Sequence, residues 1–198
     1  IKLNFPPFIR KTGKGGFFMN LEEKQLSFDY KFKGRIINLR VDEALLPNGA
    51  TATREVVEHN GGICVVPITE NGEVLMVEQY RYPYGEVILE IPAGKRDGDE
   101  EPLEGGKREL REETGAVAEN YTFLGELYPT PGYCGEVIYM YLATGLSFGE
   151  TDPDDDEFLN VKKIPLEKAV DMIMKGEIKD AKTQTAILKV ERMLKNDI

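Results

Sequence analysis

Histidine and cysteine are nearly absent from this chain: one His, His59, and two Cys, Cys64 and Cys134, among 198 residues. Two cysteines cannot build a disulfide scaffold, and they form no C-x-x-C pair. Cys64 lies in the apolar run GICVVPI, where a buried free thiol is expected. One histidine removes most zinc chemistry, because structural and catalytic zinc sites draw on several His or Cys ligands. Nothing approaches the ~20 apolar residues of a membrane span. The opening IKLNFPPFIRKTGKGGFF is basic but lacks the unbroken apolar centre of a secretory signal. Residues 1–18 read as an appended or upstream extension ahead of a start at Met19, and the location as cytoplasmic. Positive charge is also in deficit, with 25 Lys and Arg against 35 Asp and Glu and a net charge of −10. Lys2, Arg10, Lys11 and Lys14 all fall in the first eighteen residues, so the remainder is more acidic still. Such a surface repels a nucleic-acid backbone and argues against DNA or RNA as partners. A small phosphorylated molecule remains compatible, provided metal ions offset both sets of negative charge.

What is present is a core: 41% of the residues are hydrophobic, enough for one domain with a smaller appendage. From Gln25 to Val57 the pattern is β. Ile37, Leu39 and Val41 alternate with polar residues, PNGA supplies a turn, and TATREVV returns. GICVVPI and EVLMVEQY flank TENG and predict a second hairpin. EVILEIP is a short strand ending at proline and Gly94. A helix is predicted from Pro102, a favoured first-turn residue, to Gly115, a C-terminal cap. TFLGELY, EVIYMYLAT and FLNVKKI read as strands. Pro165 opens a second helix with Leu166, Ala169, Val170 and Ile173 on one stripe. A last helix from about Ala181 places Ile187, Val190 and Leu194 on one face. The run Asp152–Glu157 is read as a solvated loop rather than a metal site. The fold class is α/β, with a small β region in front.

The chemistry concentrates in GKRDGDEEPLEGGKRELREETGA, residues 94–116, with eight acidic residues and five glycines. On a helix Glu109 stands three and four residues from Glu112 and Glu113, so the three carboxylates share one side. Like charges at that spacing are unfavourable, and Gly105 and Gly106 cost roughly 1 kcal/mol each against alanine inside a helix. The helix pattern alone leaves two readings open. One is an exposed charged helix in which Arg108 and Arg111 pair along the chain. The other is an oxygen cradle for a hard cation, magnesium or manganese first.

The full spacing, Gly94, Glu100, Arg108-Glu109-Leu110, Glu112-Glu113, Gly115-Ala116, resembles the signature of the Nudix hydrolases. Ala116 departs from it, where a larger aliphatic residue is usual, and so does the Gly105-Gly106 pair. The resemblance implies an α/β/α sandwich with a mixed sheet, preceded by a small antiparallel β N-terminal region. It implies domains at 19–57, serving dimerisation, and 58–198, catalytic. It implies Glu109, Glu112 and Glu113 as ligands of Mg2+, with Mn2+ as an alternative, joined by the backbone carbonyl of Ala93. Glu100 and Arg108 would brace the loop, and Gly94 would permit a turn that a Cβ obstructs.

Two further segments resemble the ADP-ribose pyrophosphatase branch. TPGYCGE places Pro131-Gly132 sixteen residues beyond Gly115 and Glu136 at the position of a catalytic glutamate. EQYRYP and REVVEH offer Arg81 and Arg54 as forks for the pyrophosphate or terminal ribose. Tyr30 or Phe32 would stack on adenine. The branch implies metal-assisted attack of water on the pyrophosphate of ADP-ribose, with Glu136 as base and Glu112 as its rival, giving AMP and ribose 5-phosphate. A homodimer sharing its N-terminal strands is implied too. The alternatives are another Nudix specificity, for a nucleotide sugar, NADH or a diadenosine polyphosphate, and a catalytically silent ADP-ribose sensor.

Overall fold

The computed structural model describes residues 9–11, 17–152 and 158–196, so most of the Asp152–Glu157 run lies outside the described residues. The chain divides into two compact units, Ile1–His59 with Thr130–Gly135, and Asn60–Pro129 with Glu136–Ile198.

In the first unit, β1 (Ile9–Lys11) pairs antiparallel with β2 (Phe17–Met19). Strands β3 (Lys24–Lys33), β4 (Ile37–Leu45) and β5 (Thr51–His59) form an antiparallel sheet with β4 central. The PNGA turn closes with Gly49 at φ +87°, a conformation that favours glycine. Along β4 burial deepens toward its end, and the residues from Asn38 to Val41 are half-buried. Asp42 and Ala44 are buried, whereas Ile37 is 39% exposed. Asp42 tolerates burial because Gln25 donates to it at 2.8 Å and Arg40 stands 3.3 Å away. Residues 130–135 belong to this unit through Val57, which donates to Tyr133 O at 2.8 Å and accepts from Gly135 N at 2.9 Å.

The second unit holds β6 (Gly62–Pro67), β7 (Glu73–Arg81), β8 (Glu86–Glu90), β9 (Ala93–Lys95), α1 (Pro102–Thr114), β10 (Ala116–Leu127), β11 (Ile138–Phe148), β12 (Leu159–Pro165), α2 (Leu166–Met174) and α3 (Ala181–Lys195). One sheet, ordered β10-β11-β6-β9, is mixed, since β11 and β6 run parallel. The other, β12-β7-β8, is antiparallel.

The expected hairpin of β6 and β7 is therefore not a ladder. Its turn forms, with Thr69 N donating to Glu73 O at 2.9 Å and a bridge from Ile68 to Val74. Beyond it the strands part into separate sheets. Both are apolar at successive positions, so each is central and covered on two faces. The period of two sorts their side chains. Val65 and Leu75 pack with Leu110 of α1, while Cys64, Val66, Val74 and Met76 pack with Ala169, Ile173, Ile187 and Val190 of α2 and α3. Helix, sheet and helix thus make the α/β/α layers. Leu194 corrects one expectation: it is 53% exposed, and the buried face of α3 is Thr183, Ala186, Ile187 and Val190. Met193, the neighbour of Leu194 in the last turn, packs against the core instead.

Candidate active site

Helix α1 starts on Pro102 without a side-chain cap and stops at Gly115, whose φ of +69° lets its N–H reach Arg111 O at 2.8 Å. Its two internal glycines are explained by close approach. A Cβ on Gly105 would stand 2.7 Å from Glu100 Oε2 and 2.8 Å from Ile63 Cδ1. One on Gly106 would stand 3.1 Å from Ile63 and 3.3 Å from Val65. The helix lies hard against β6, and that approach buries Glu109 and Glu113, 7% and 3% exposed.

Buried carboxylates need partners. Arg108 supplies one to Glu109 and holds Glu100 and Glu112 as well. Its Nε and Nη2 donate to the two oxygens of Glu100, each at 3.1 Å, and Nη2 also reaches Lys95 O at 3.2 Å. Its Nη1 donates to Glu112 Oε2 at 2.9 Å and stands 2.8 Å from Glu109 Oε1. Glu113 turns to the sheet and accepts the Ala93 N–H at 3.1 Å. The Glu100 hydrogen bond, with help from Glu109 and Glu112, outweighs burial and raises the Arg108 pKa. The same fork holds the Glu100 carboxyl below its ordinary range.

Gly94 is not a turn residue here. It lies in β9 opposite Ile63, and it is not among the glycines of positive φ. Its Cβ position is filled by Glu109, whose carboxylate atoms come within 1.9–2.4 Å of it. Glycine is required because the carboxylate occupies the space of a side chain. Glu136 sits on the neighbouring strand edge, where a Cβ on Gly62 would meet Gly94 O at 3.2 Å and Glu136 Oε1 at 3.6 Å. Ala116 is fully buried with Val65, Leu75, Leu110 and Ala143.

Among the described residues, no group of three His, Cys, Asp or Glu side chains is gathered to hold an ion as it stands. Glu109 and Glu112 converge instead on one guanidinium nitrogen. A cationic group already bridges them, and the donors are all hard oxygens, so the set fits a divalent ion of the magnesium type once Arg108 yields that place.

The remaining sequence-predicted residues divide by unit. In the second, Arg81 forks onto Glu90 at 2.6 and 2.8 Å. In the first, Arg54 forks onto Glu23 at 2.8 and 2.6 Å. Tyr30 donates to Glu58 at 2.9 Å, meets Phe28 edge-on at 5.6 Å, and carries Lys33 Nζ 4.2 Å from its ring centre. Phe32 is 55% exposed. Pro131 and Gly132 form an exposed turn closed by Cys134 N on Thr130 O at 3.0 Å, and a Cβ on Gly132 would meet nothing.

Sequence reasoning missed the group around Glu90. This carboxylate, 2% exposed, is shared by Arg81 and Lys182, and Lys182 also reaches Asp180 at 3.0 Å. A glutamate inside the apolar EVILEIP, and an Asp three residues before a Thr at a helix start, were the available signals.

The NUDIX domain family matches residues 50–185, and the nucleoside diphosphate sugar hydrolase N-terminal domain matches residues 23–57. The chain belongs to the Nudix family. It is 41% identical over 170 residues to the ADP-ribose pyrophosphatase of Bacillus subtilis (strain 168), covering 85% of this chain and 92% of that one. It is 40% identical over 179 residues to the methanol dehydrogenase activator of Bacillus methanolicus, covering 88% and 97%. A crystal structure of an ADP compounds hydrolase superposes with a TM-score of 0.79 at 23% identity, covering 89% of this chain and 97% of that one, which shows the shared fold.

Proposed function

We propose that this chain hydrolyses the pyrophosphate bond of ADP-ribose, or of a closely related ADP-sugar, to AMP and ribose 5-phosphate. The observation that carries the reading is α1 in place: Glu109 and Glu113 buried, Glu112 beside them, and all held by Arg108 and the β9 backbone. The likeness to an ADP-ribose pyrophosphatase over 92% of its length supports the substrate.

The Nudix family implies a divalent cation, and we assign it Mg2+, held by Glu109, Glu112, Glu113 and the Ala93 carbonyl. When bound, it would offset phosphate charge and lower the pKa of a coordinated water. Glu136 would take the proton of the attacking water on a carboxylate oxygen, with Glu112 as the rival base. Arg108, forked onto Glu100, would stay anchored beside the helix carboxylates. The Arg81 guanidinium, held by one fork, would offer its outer edge to the pyrophosphate. The assignment of Arg54, Tyr30, Pro131 and Gly132 to substrate rests on motif resemblance. A second copy of the chain is the proposed partner, since Leu26, Phe28 and Phe32 of β3 are 49, 54 and 55% exposed in the single chain.

The match of residues 23–57 to a nucleoside diphosphate sugar hydrolase domain favours nucleotide sugars as the second reading. Chromatography of the products from ADP-ribose, ADP-glucose, GDP-mannose, NADH and diadenosine polyphosphates with Mg2+ separates the two. ADP-ribose is expected to give the highest kcat/KM, and preference for another donor would replace it. Glu112→Gln and Glu136→Gln are each expected to lose most turnover while staying folded. Full activity in both would refute the site.

A further inference from the structure

The charged group at the start of α3 has no part in the chemistry above, yet it holds the segment that delivers that chemistry. Residues 90–93 cross from β8 in one sheet to β9 in the other, and each is tied. The Glu90 carboxylate is shared by Arg81 and Lys182. The Ile91 N–H donates to Thr183 Oγ1 at 3.0 Å, Pro92 O accepts from Val65 N at 2.9 Å, and the Ala93 N–H donates to Glu113.

Thr183 is fully buried, and its hydroxyl is directional. Its proton goes to Asp180 Oδ2 at 2.6 Å, which leaves a lone pair for Ile91. Asp180 also accepts the Thr183 N–H at 2.9 Å, so the same carboxylate caps α3. Lys182 neutralises Glu90 from one side while Arg81 forks it from the other. Burial works against the ammonium, but Asp180 and Glu90 outweigh it and raise the Lys182 pKa.

We infer that the Asp180–Thr183 turn is a positioning element of the active site. Thr183 sets the height of the crossover that presents the Ala93 carbonyl beside α1. Lys182 completes the charge of Glu90 so that Arg81 is held in one orientation toward an anionic substrate. The inference rests on the proposed cation site at Ala93, Glu109, Glu112 and Glu113 and on the proposed role of Arg81. Its effect should resemble the loss of an outer partner of a metal ligand, typically about 10-fold to 100-fold in metal affinity or activity.

Mn2+ alone is the probe for the first half, its binding to the whole chain followed by electron paramagnetic resonance of the free ion. Thr183→Val keeps the shape and removes the hydroxyl; it is expected to weaken Mn2+ binding about tenfold. Thr183→Ser keeps the hydroxyl and should restore it. For the second half, Lys182→Met is expected to raise KM for ADP-ribose about tenfold with kcat little changed, the pattern of lost substrate binding. A purely structural clamp would lower the unfolding midpoint and move neither quantity. Wild-type Mn2+ affinity in folded Thr183→Val overturns the first half, and an unchanged KM in Lys182→Met overturns the second. If Thr183→Val does not fold, poor Mn2+ binding by folded Thr183→Ser also counts against the hydroxyl, and Lys182→Met still decides its half. Glu113→Gln separates the levels. If it binds Mn2+ like the wild type, the cation site itself is wrong; if it alone loses Mn2+, only the clamp falls.

Discussion

At the scale of the residue, Gly94 was legible as a required glycine, but not for the reason its sequence suggests. A glycine before a charged loop reads as a turn. The structure puts it in a strand, with the Glu109 carboxylate where its side chain would be. Gly94→Ala must therefore push Glu109 aside. It is expected to lower kcat by about 100-fold with the circular dichroism spectrum retained, as for a displacement of about 1 Å in a catalytic group. Arg108 and Glu100 make a second case, in which acid stability carries the signature. The Glu100 carboxyl is held below its ordinary range in the folded chain, first by the Arg108 hydrogen bond. A depressed carboxyl binds fewer protons folded than unfolded. Its stabilisation is thus present above the unfolded value, about pH 4.3, and is lost as pH falls through the folded pKa. Glu100→Gln is expected to flatten the fall of the urea midpoint in that window, and an unchanged slope would remove Glu100 from the account.

The scale of the element explains why α1 was legible while its glycines were not. Proline at the first turn, glycine at the end and a polar sequence between predict the helix wherever it packs. The cost of Gly105 and Gly106 shows up in propensity alone, and its reason lies across the gap in Ile63, Val65 and Glu100. Alanine would recover roughly 1 kcal/mol of helix propensity at each site. At Gly105 the gain is overridden by approaches of 2.7 and 2.8 Å, one to Glu100 and one to Ile63. Overpacking of this kind costs about 1–3 kcal/mol. Chemical denaturation should rank Gly105→Ala below the wild type and also below Gly106→Ala, where the approaches are 3.1 and 3.3 Å. The parting of β6 and β7 belongs to this scale too. Their short turn reads as a hairpin because a turn reports only its own residues. Which strands then pair depends on partners as distant in sequence as Ile138 and Pro165.

For the whole molecule, net charge and the proposed cation are linked. A chain of net charge −10 repels itself when compact, and a dication that binds only the folded form stabilises it by mass action. Millimolar Mg2+ is expected to raise the melting temperature beyond what NaCl of equal ionic strength does. At one hundred times Kd the gain would be about 2.7 kcal/mol. Chelation should reverse the rise and abolish turnover, which returns on adding the ion back. Equal effects of MgCl2 and NaCl would mean screening rather than a site.

The sequence by itself determined the family, the α/β class and the bounds of α1, because periodicity, caps and motif spacing are local properties of the chain. The tertiary structure alone decided where along β4 burial deepens, that β6 and β7 separate, and that Glu109 fills the side-chain space of Gly94. It alone brought Lys182 and Thr183 to a crossover about ninety residues earlier. These outcomes depend on which desolvated groups find partners and on how closely a helix can approach a sheet, and both are settled between segments rather than within them.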